Sequence, residues 1–155
     1  MTAAAWCLDA DPRIADRQEW TVVPRILLVD DDELLRGALH QILVRAGYDV
    51  DDASNGKIAV REYRRQRCDV VIMDIVMPEK EGLGTIRELR RVDPNVKIIA
   101  ISGGGLGKAG DYLGIAQMLG ATRTVAKPFL PETLLSMLAE VLADPNTHEV
   151  SQHRQ

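Results

Sequence analysis

The sequence predicts an α/β domain on a five-stranded parallel sheet, and three observations carry that prediction. Short apolar runs rich in Val and Ile recur along the chain. Stretches with helical hydrophobic period separate them, and most runs stop at a polar residue: Asp30, Asp74, Ser102 and Lys127. A strand that returns to a parallel neighbour needs a crossover, and the crossover helices then cover both sheet faces. Strands buried on both sides read as near-continuous apolar runs, as these do.

The first run is 26–29, Ile-Leu-Leu-Val, halted by Asp30, Asp31 and Asp32. A helical stripe follows in Leu34, Leu35, Ala38, Leu39, Ile42, Leu43 and Ala46, and Gly47 stands where a left-handed C-terminal cap is wanted. Residues 48–53 form a short strand closed by Asn55 and Gly56, and 57–66 a helix offering Ile58, Ala59 and Tyr63. The third strand, 70–73, is cut at Asp74; after Pro78 a helix over 82–92 turns Leu83, Ile86 and Leu89 inward. Asp93, Pro94 and Asn95 turn the chain into a fourth strand, 96–101, ending at Ser102. A Gly-rich loop over 103–110 leads to a helix over 111–119 closed by Gly120, and then to a fifth strand, 122–126, ending at Lys127. Pro131 suits the first position of a last helix through Ala143, striped by Leu134, Leu135, Leu138, Val141 and Leu142.

The regular pattern bounds one domain, 25–143. Residues 1–24 lack a sustained period, hold both tryptophans (Trp6 and Trp20), and read as an irregular extension; 144–155 read as a polar tail. The 155 residues carry 19 Lys and Arg against 23 Asp and Glu, a net charge of −4, with 46% hydrophobic and 27% charged residues. Those are the proportions of an ordinary globular domain, which excludes disorder and a broad basic field; no local basic patch is visible either, so DNA is not an expected partner. Two cysteines, Cys7 and Cys68, are too few for a disulfide framework and fit a reducing compartment. No run approaches a membrane span and no signal-peptide flank is present, so the expectation is a cytoplasmic, soluble protein.

In a parallel sheet of this kind, ligand-binding residues gather at the carboxyl ends of the strands. Each strand-end residue alone has a bland reading: Asp30 to Asp32 as helix caps, Asp74 as a turn residue, Ser102 as a capping hydroxyl, Lys127 as a surface charge. Asp51 and Asp52 read as a solvated acidic pair on an edge strand. What separates the first group is that all of them fall at the same end of one sheet.

Here the sequence resembles the receiver domain of two-component response regulators. The matching stretches are 26–32 (ILLVDDD), 69–78 (DVVIMDIVMP), 98–103 (IIAISG) and 126–129 (AKPF), in family order and spacing, and the resemblance covers about 25–143. It implies a flavodoxin-like, doubly wound sheet of order 2-1-3-4-5 flanked by five helices. It also implies that Asp74 is the phosphoacceptor, Ser102 the conserved-type hydroxyl and Lys127 the strand-five lysine. Asp31, Asp74 and the Val76 backbone carbonyl would hold Mg²⁺, with Asp30 joining through water.

The chemistry of the residues agrees. Three carboxylates within about 5 Å repel by roughly 3 kcal/mol per pair at an effective dielectric near 20, which a divalent cation relieves. Mg²⁺ prefers hard oxygen ligands and keeps waters that a phosphoryl oxygen can replace. An aspartate can then act as nucleophile toward phosphorus while cations neutralise the equatorial oxygens. The Lys127-Pro128 bond admits a cis peptide at modest cost.

Some positions depart from the family pattern. Thr124 stands where an aromatic often sits three residues before the lysine, so the activation signal would travel through the loop 103–110 instead. Val76 and Gly104 offer no polar side chain to orient water, which predicts slow self-dephosphorylation. Ile75 replaces a reporter tryptophan sometimes found beside the acceptor. The resulting expectation is a stand-alone regulator, not an enzyme on an external substrate. It takes its phosphoryl group from a histidine kinase or histidine phosphotransfer protein and signals to another protein, as a monomer or weak dimer, because about a dozen residues after the last helix are too few for an output domain. Two alternatives stand beside it. A phosphorylation-independent adaptor would keep the fold and work by docking. A nucleotide-binding protein would use 102–109 (SGGGLGKA), close to a phosphate loop, although Ser102 replaces its first glycine and Ala109 its magnesium-binding hydroxyl.

Overall fold

The computed structural model describes residues 22–76, 81–103 and 109–145. Among these residues ten elements alternate strictly: β1 (Arg25–Val29), α1 (Glu33–Arg45), β2 (Asp49–Ala53), α2 (Gly56–Arg65), β3 (Val70–Asp74), α3 (Glu81–Val92), β4 (Ile98–Gly103), α4 (Ala109–Leu119), β5 (Arg123–Lys127) and α5 (Pro131–Ala143). All strand pairs are parallel, in the order β2-β1-β3-β4-β5. The chain turns back at β1, so β1 and β3 flank the switch point where such sheets bind ligands.

Alternation along each strand feeds two cores. Leu27, Val29, Val71, Met73, Ile98 and Ala100 pack with Ala59, Val60 and Tyr63 of α2, Ile86 and Leu89 of α3, and Ala116 of α4. Ile26, Leu28, Val70, Ile72, Ile99 and Ile101 pack against Leu39 and Leu43 of α1 and Leu134, Leu138 and Val141 of α5. Every residue of β3, Asp74 included, is buried. This two-sided demand is why the strands are apolar throughout rather than alternating.

Local signals set the element ends. Asp32 caps α1, its side chain accepting from the Leu34 and Leu35 amides, and Asn55 caps α2 by accepting from the Ile58 amide. Gly47 and Gly120 have φ of 98° and 111°, so each closes a helix with a left-handed residue. The Arg90 guanidinium, on α3, donates to the Gly120 carbonyl and ties two helix ends together.

Four expectations need correction. β4 begins at Ile98, two residues later than its apolar run, because Val96 still belongs to the turn (its amide donates to the Asp93 carbonyl at 3.2 Å); it extends to Gly103 because Ser102 and Gly103 pair with Ala126 and Lys127 of β5. Leu34 is 87% exposed, and Ala38 and Ala46 are exposed too. The buried stripe of α1 is narrower than its apolar content, running through Leu35, Leu39, Ile42 and Leu43. Asp51 and Asp52 are not merely solvated: Asp51 pairs with Arg25, and Asp52 lies 2.8 Å from His40 Nδ1. Finally, a local basic patch exists: Lys57, Arg61 and Arg64 of α2 line adjoining cavities with Arg87 and Arg91 of α3, residues far apart in sequence that the fold sets side by side.

One buried charge has no signal in its local sequence. Lys97 is 7% exposed, and its ammonium donates to the carbonyls of Val141 (3.0 Å) and Asp144 (3.3 Å) at the end of α5. That helix has no basic residue in its last turn, so a lysine just before β4 supplies its C-terminal cation. The Cys68 thiol is pushed up to about 12, chiefly by burial, and is an inert packing group. Cys7, Trp6, Trp20, Pro78, Gly104, most of the Gly-rich loop and most of the polar tail lie outside the described residues, and so does nearly all of the 1–24 extension.

Candidate functional site

The carboxyl ends of β1, β3, β4 and β5 bring Asp30, Asp31, Asp74, Ser102 and Lys127 to one edge of the sheet. Register causes this. Val29 pairs with Met73, Asp74 with Ile101, and Ser102 with Ala126, so the polar residues after each apolar run arrive at one level.

Carboxylate oxygens of Asp30, Asp31 and Asp74 lie within 4.8 Å of one another. Asp30 and Asp74 are 2% and 6% exposed, while Asp31 is exposed. Lys127 Nζ stands 2.9 Å from Asp74 Oδ2 and 3.6 Å from Asp30 Oδ2, bridging both buried acids. The other Asp74 oxygen, Oδ1, accepts from the Val76 amide at 2.9 Å, which fixes the carboxylate plane from two sides. The Lys127-Pro128 peptide is cis, the isomer the sequence admits.

The electrostatics follow from this crowding. Burial pushes the Asp30 carboxyl above its usual range; the Asp74 charge adds to the rise, and the Asp32 amide, donating to Asp30 Oδ1 at 2.9 Å, opposes it. Burial pulls the Lys127 ammonium down, but the hydrogen bond and charge of Asp74 and the charge of Asp30 outweigh it and leave the group above its ordinary value. Three acids facing one amine leave a net negative cluster, which suits a hard divalent cation.

Ser102 is fully buried, and its Oγ has no hydrogen-bond partner among the described residues. An unpaired buried hydroxyl costs free energy comparable to a lost hydrogen bond, so it marks a place where a polar ligand group would be welcome. The acid cluster and this hydroxyl together fit an incoming group with hard oxygens and its cation.

Two supporting residues carried no signal in the sequence. Arg36, one turn into α1, donates to the Asp30 carbonyl at 2.7 Å and anchors the backbone that carries the acids. Gly82 of α3 lies so near β3 that a Cβ there would meet Ile75 Cα at 2.5 Å and the Asp74 carbonyl oxygen at 2.8 Å. Only the missing side chain allows α3 to sit against the strand bearing Asp74. Val76 is exposed, and Thr124 is half-buried in β5 opposite Ala100.

Against known proteins, the family model "Response regulator receiver domain" matches residues 26–139. The chain belongs to the response regulator receiver family. It is 39% identical over 118 residues to the chemotaxis protein CheY of Thermotoga maritima, covering 76% of this chain and 96% of that one. Over 147 residues it is 35% identical to the probable transcriptional regulator ycf27 of Guillardia theta, covering 95% of this chain but only 53% of that longer protein. The crystal structure of a CheY-like receiver domain protein from Methanospirillum hungatei superposes with a TM-score of 0.69 at 27% identity, over 77% of this chain and 94% of that one. The receiver fold and the place of this chain in two-component signalling are therefore settled, and its sheet order is the one the resemblance implied. No helix among the described residues is long and apolar enough to cross a membrane.

Proposed function

We propose that this receiver, a single domain over 25–143, accepts a phosphoryl group on Asp74 from a phosphohistidine of a histidine kinase or phosphotransfer protein and signals through contacts with a further protein. The observation that carries the reading is the joint placement of Asp74, Lys127 and the two further acids, with the unpaired Ser102 hydroxyl at the same edge.

In this reading a carboxylate oxygen of Asp74 forms the new O–P bond as the donor's P–N bond breaks, and the electron pair leaves with the imidazole nitrogen, which is then protonated. The Val76 amide and Lys127 hold the nucleophile in one orientation before transfer. Lys127 then faces the charge developing on the equatorial phosphoryl oxygens, where a fixed cation is most effective. Ser102 donates its free hydroxyl to the bound group. Asp31, Asp74 and the Val76 carbonyl, with Asp30 through water, would hold Mg²⁺, which when bound neutralises the acids and the phosphoryl oxygens. The exposed, apolar Val76 does not orient an attacking water, so the acyl phosphate decays slowly. With the small Thr124 in place of an aromatic, the signal takes a route other than an aromatic switch on β5; the segment 103–110 that the sequence suggests for it lies mostly outside the described residues, and unchanged amide exchange there on phosphorylation would refute that route.

The test is intact-mass spectrometry after incubation with a small acyl phosphate and Mg²⁺. The wild-type chain should gain one PO₃ unit, lost with hydroxylamine, and Asp74→Asn should gain none. Labelling that persists in Asp74→Asn would overturn the assignment of the acceptor, and labelling that is absent from the wild type while its circular dichroism shows an intact fold would overturn the proposal in favour of a docking adaptor.

A further inference from the structure

The cationic trough between α2 and α3 lies apart from the strand-end site and is not used by the chemistry above. Lys57, Arg61 and Arg64 recur at helical spacing on α2, and Arg87 and Arg91 on α3. They line two adjoining cavities of about 490 and 300 Å³ that share Arg64 and Glu88. Among the described residues that line the cavities, five cations thus stand beside one carboxylate, Glu88, in a chain whose net charge is −4.

Internal neutralisation is slight. Arg64 stands 3.9 Å from Glu88, and Arg61 3.6 Å from Glu62. The side chains of Lys57, Arg87 and Arg91 make no hydrogen bond or ion pair with any described residue. Arg61 and Arg64 keep 70% and 61% of their side-chain surface exposed. The lining is completed by Val60, Gly84 and Val92, and nothing lies within 4 Å of the position a Gly84 Cβ would take, so the trough is open above that glycine. Like charges gathered on one face raise the local positive potential and attract an anionic partner.

We propose that this trough docks an acidic segment of a partner protein, its carboxylates on Arg64, Arg87 and Arg91 and its small apolar side chains over Val60, Gly84 and Val92. Four of the five cations are arginines, whose planar fork matches a carboxylate bidentately. Glu88, shared by the two cavities, selects the occupant. A nucleic-acid backbone brings a negative charge at every step and would set one against it, whereas a peptide can place a neutral or donor side chain there. The apolar lining also suits a peptide better than phosphates.

Fluorescence anisotropy on the full chain tests this, using a fluorescein-labelled peptide with Glu along one helical stripe and Leu and Ala along the next. Binding should weaken at least about tenfold between low and high salt, because exposed charge pairs are screened. The variant Arg64→Gln/Arg87→Gln/Arg91→Gln should lose at least about tenfold in affinity, the order expected for losing charge-assisted hydrogen bonds. Glu88→Gln should tighten binding. Arg45→Gln/Arg123→Gln, with exposed arginines outside the trough, should bind like wild type, and circular dichroism should be unchanged throughout. The proposal is overturned by absent binding, by equal losses in the trough and control variants, or by a short DNA duplex or anionic vesicles competing better than the unlabelled peptide.

Discussion

Gly82→Ala isolates the contact between α3 and the strand carrying Asp74. Helix propensity favours alanine by up to about 1 kcal/mol. Against it, the new methyl would lie 2.5 Å from Ile75 Cα, 2.8 Å from the Asp74 carbonyl oxygen and 3.0 Å from that of Ile75. Carbon atoms approach favourably only to about 3.5 to 4 Å, so α3 must retreat by about 1 Å. All three obstacles are backbone atoms, and no side-chain rotation relieves them. Overpacking of this kind costs typically 1–3 kcal/mol, and immovable neighbours place this case at the upper end; after the propensity gain, a net loss of about 2 kcal/mol remains. For a domain of this size that corresponds to a fall in Tm on the order of 8 °C. Gly84→Ala, two residues along the same helix, is the control: its Cβ meets nothing within 4 Å, so stability should rise by up to about 1 kcal/mol. Because a 1 Å displacement of a reacting group can cost up to about a hundredfold, Gly82→Ala should also slow phosphoryl uptake while Gly84→Ala should not. Calorimetry and initial rates with a small acyl phosphate make the comparison. A Gly82→Ala protein at least as stable as wild type would refute the close-packing explanation, and so would a Gly84→Ala protein destabilised to the same degree.

Other perturbations follow from single contacts. Lys127→Met removes the cation facing Asp74, and both gain and loss of the phosphoryl group should slow at least about tenfold in a mass-resolved time course, since both directions develop the same phosphoryl charge. Tyr63 donates to Asp93 Oδ2 at 2.7 Å. Although burial alone would raise the Asp93 carboxyl, the Tyr63 hydroxyl, the Asn95 amide and Arg67 outweigh it and hold the group below its ordinary value. A depressed carboxyl stabilises the fold above its unfolded pKa, and that stability fades as pH falls through the folded value. Tyr63→Phe should therefore cost about 1 kcal/mol in urea denaturation at about pH 7, with the difference from wild type shrinking below about pH 4. Lys97→Met keeps the buried alkyl chain but leaves the Val141 and Asp144 carbonyls without their cation; a loss of about 1–2 kcal/mol is expected, and an unchanged urea midpoint would contradict the capping role.

Most of the architecture was legible because it rests on local pattern. The apolar runs, the left-handed glycines at 47 and 120 and Pro131 opening α5 each carry their own backbone requirement. The candidate site was legible for a related reason: parallel register turns "the residue after the run" into "the same edge of the sheet," so the sequence alone groups Asp30, Asp74, Ser102 and Lys127. What escaped depends on partners distant in sequence. Nothing near Lys97 announces the end of a helix 44 residues later. Gly82 reads as a poor helix former until α3 is laid against Ile75, and Asp51 reads as solvated until Arg25 is set beside it on the neighbouring strand. The basic trough was hidden because two helices separated by a strand each contribute part of it.

Strand β4 is moored at one extremity and left with an unmet polar group at the other. At its far end, Lys97 moors the chain to the last carbonyls of α5, and at its near end Ser102 holds a hydroxyl in reserve. A strand pinned in this way cannot slide lengthwise without tearing an ion from its berth. Any recoil that begins at the hydroxyl therefore cannot be relieved by a shift of the whole strand, and the sheet stays a fixed bench on which that motion is staged.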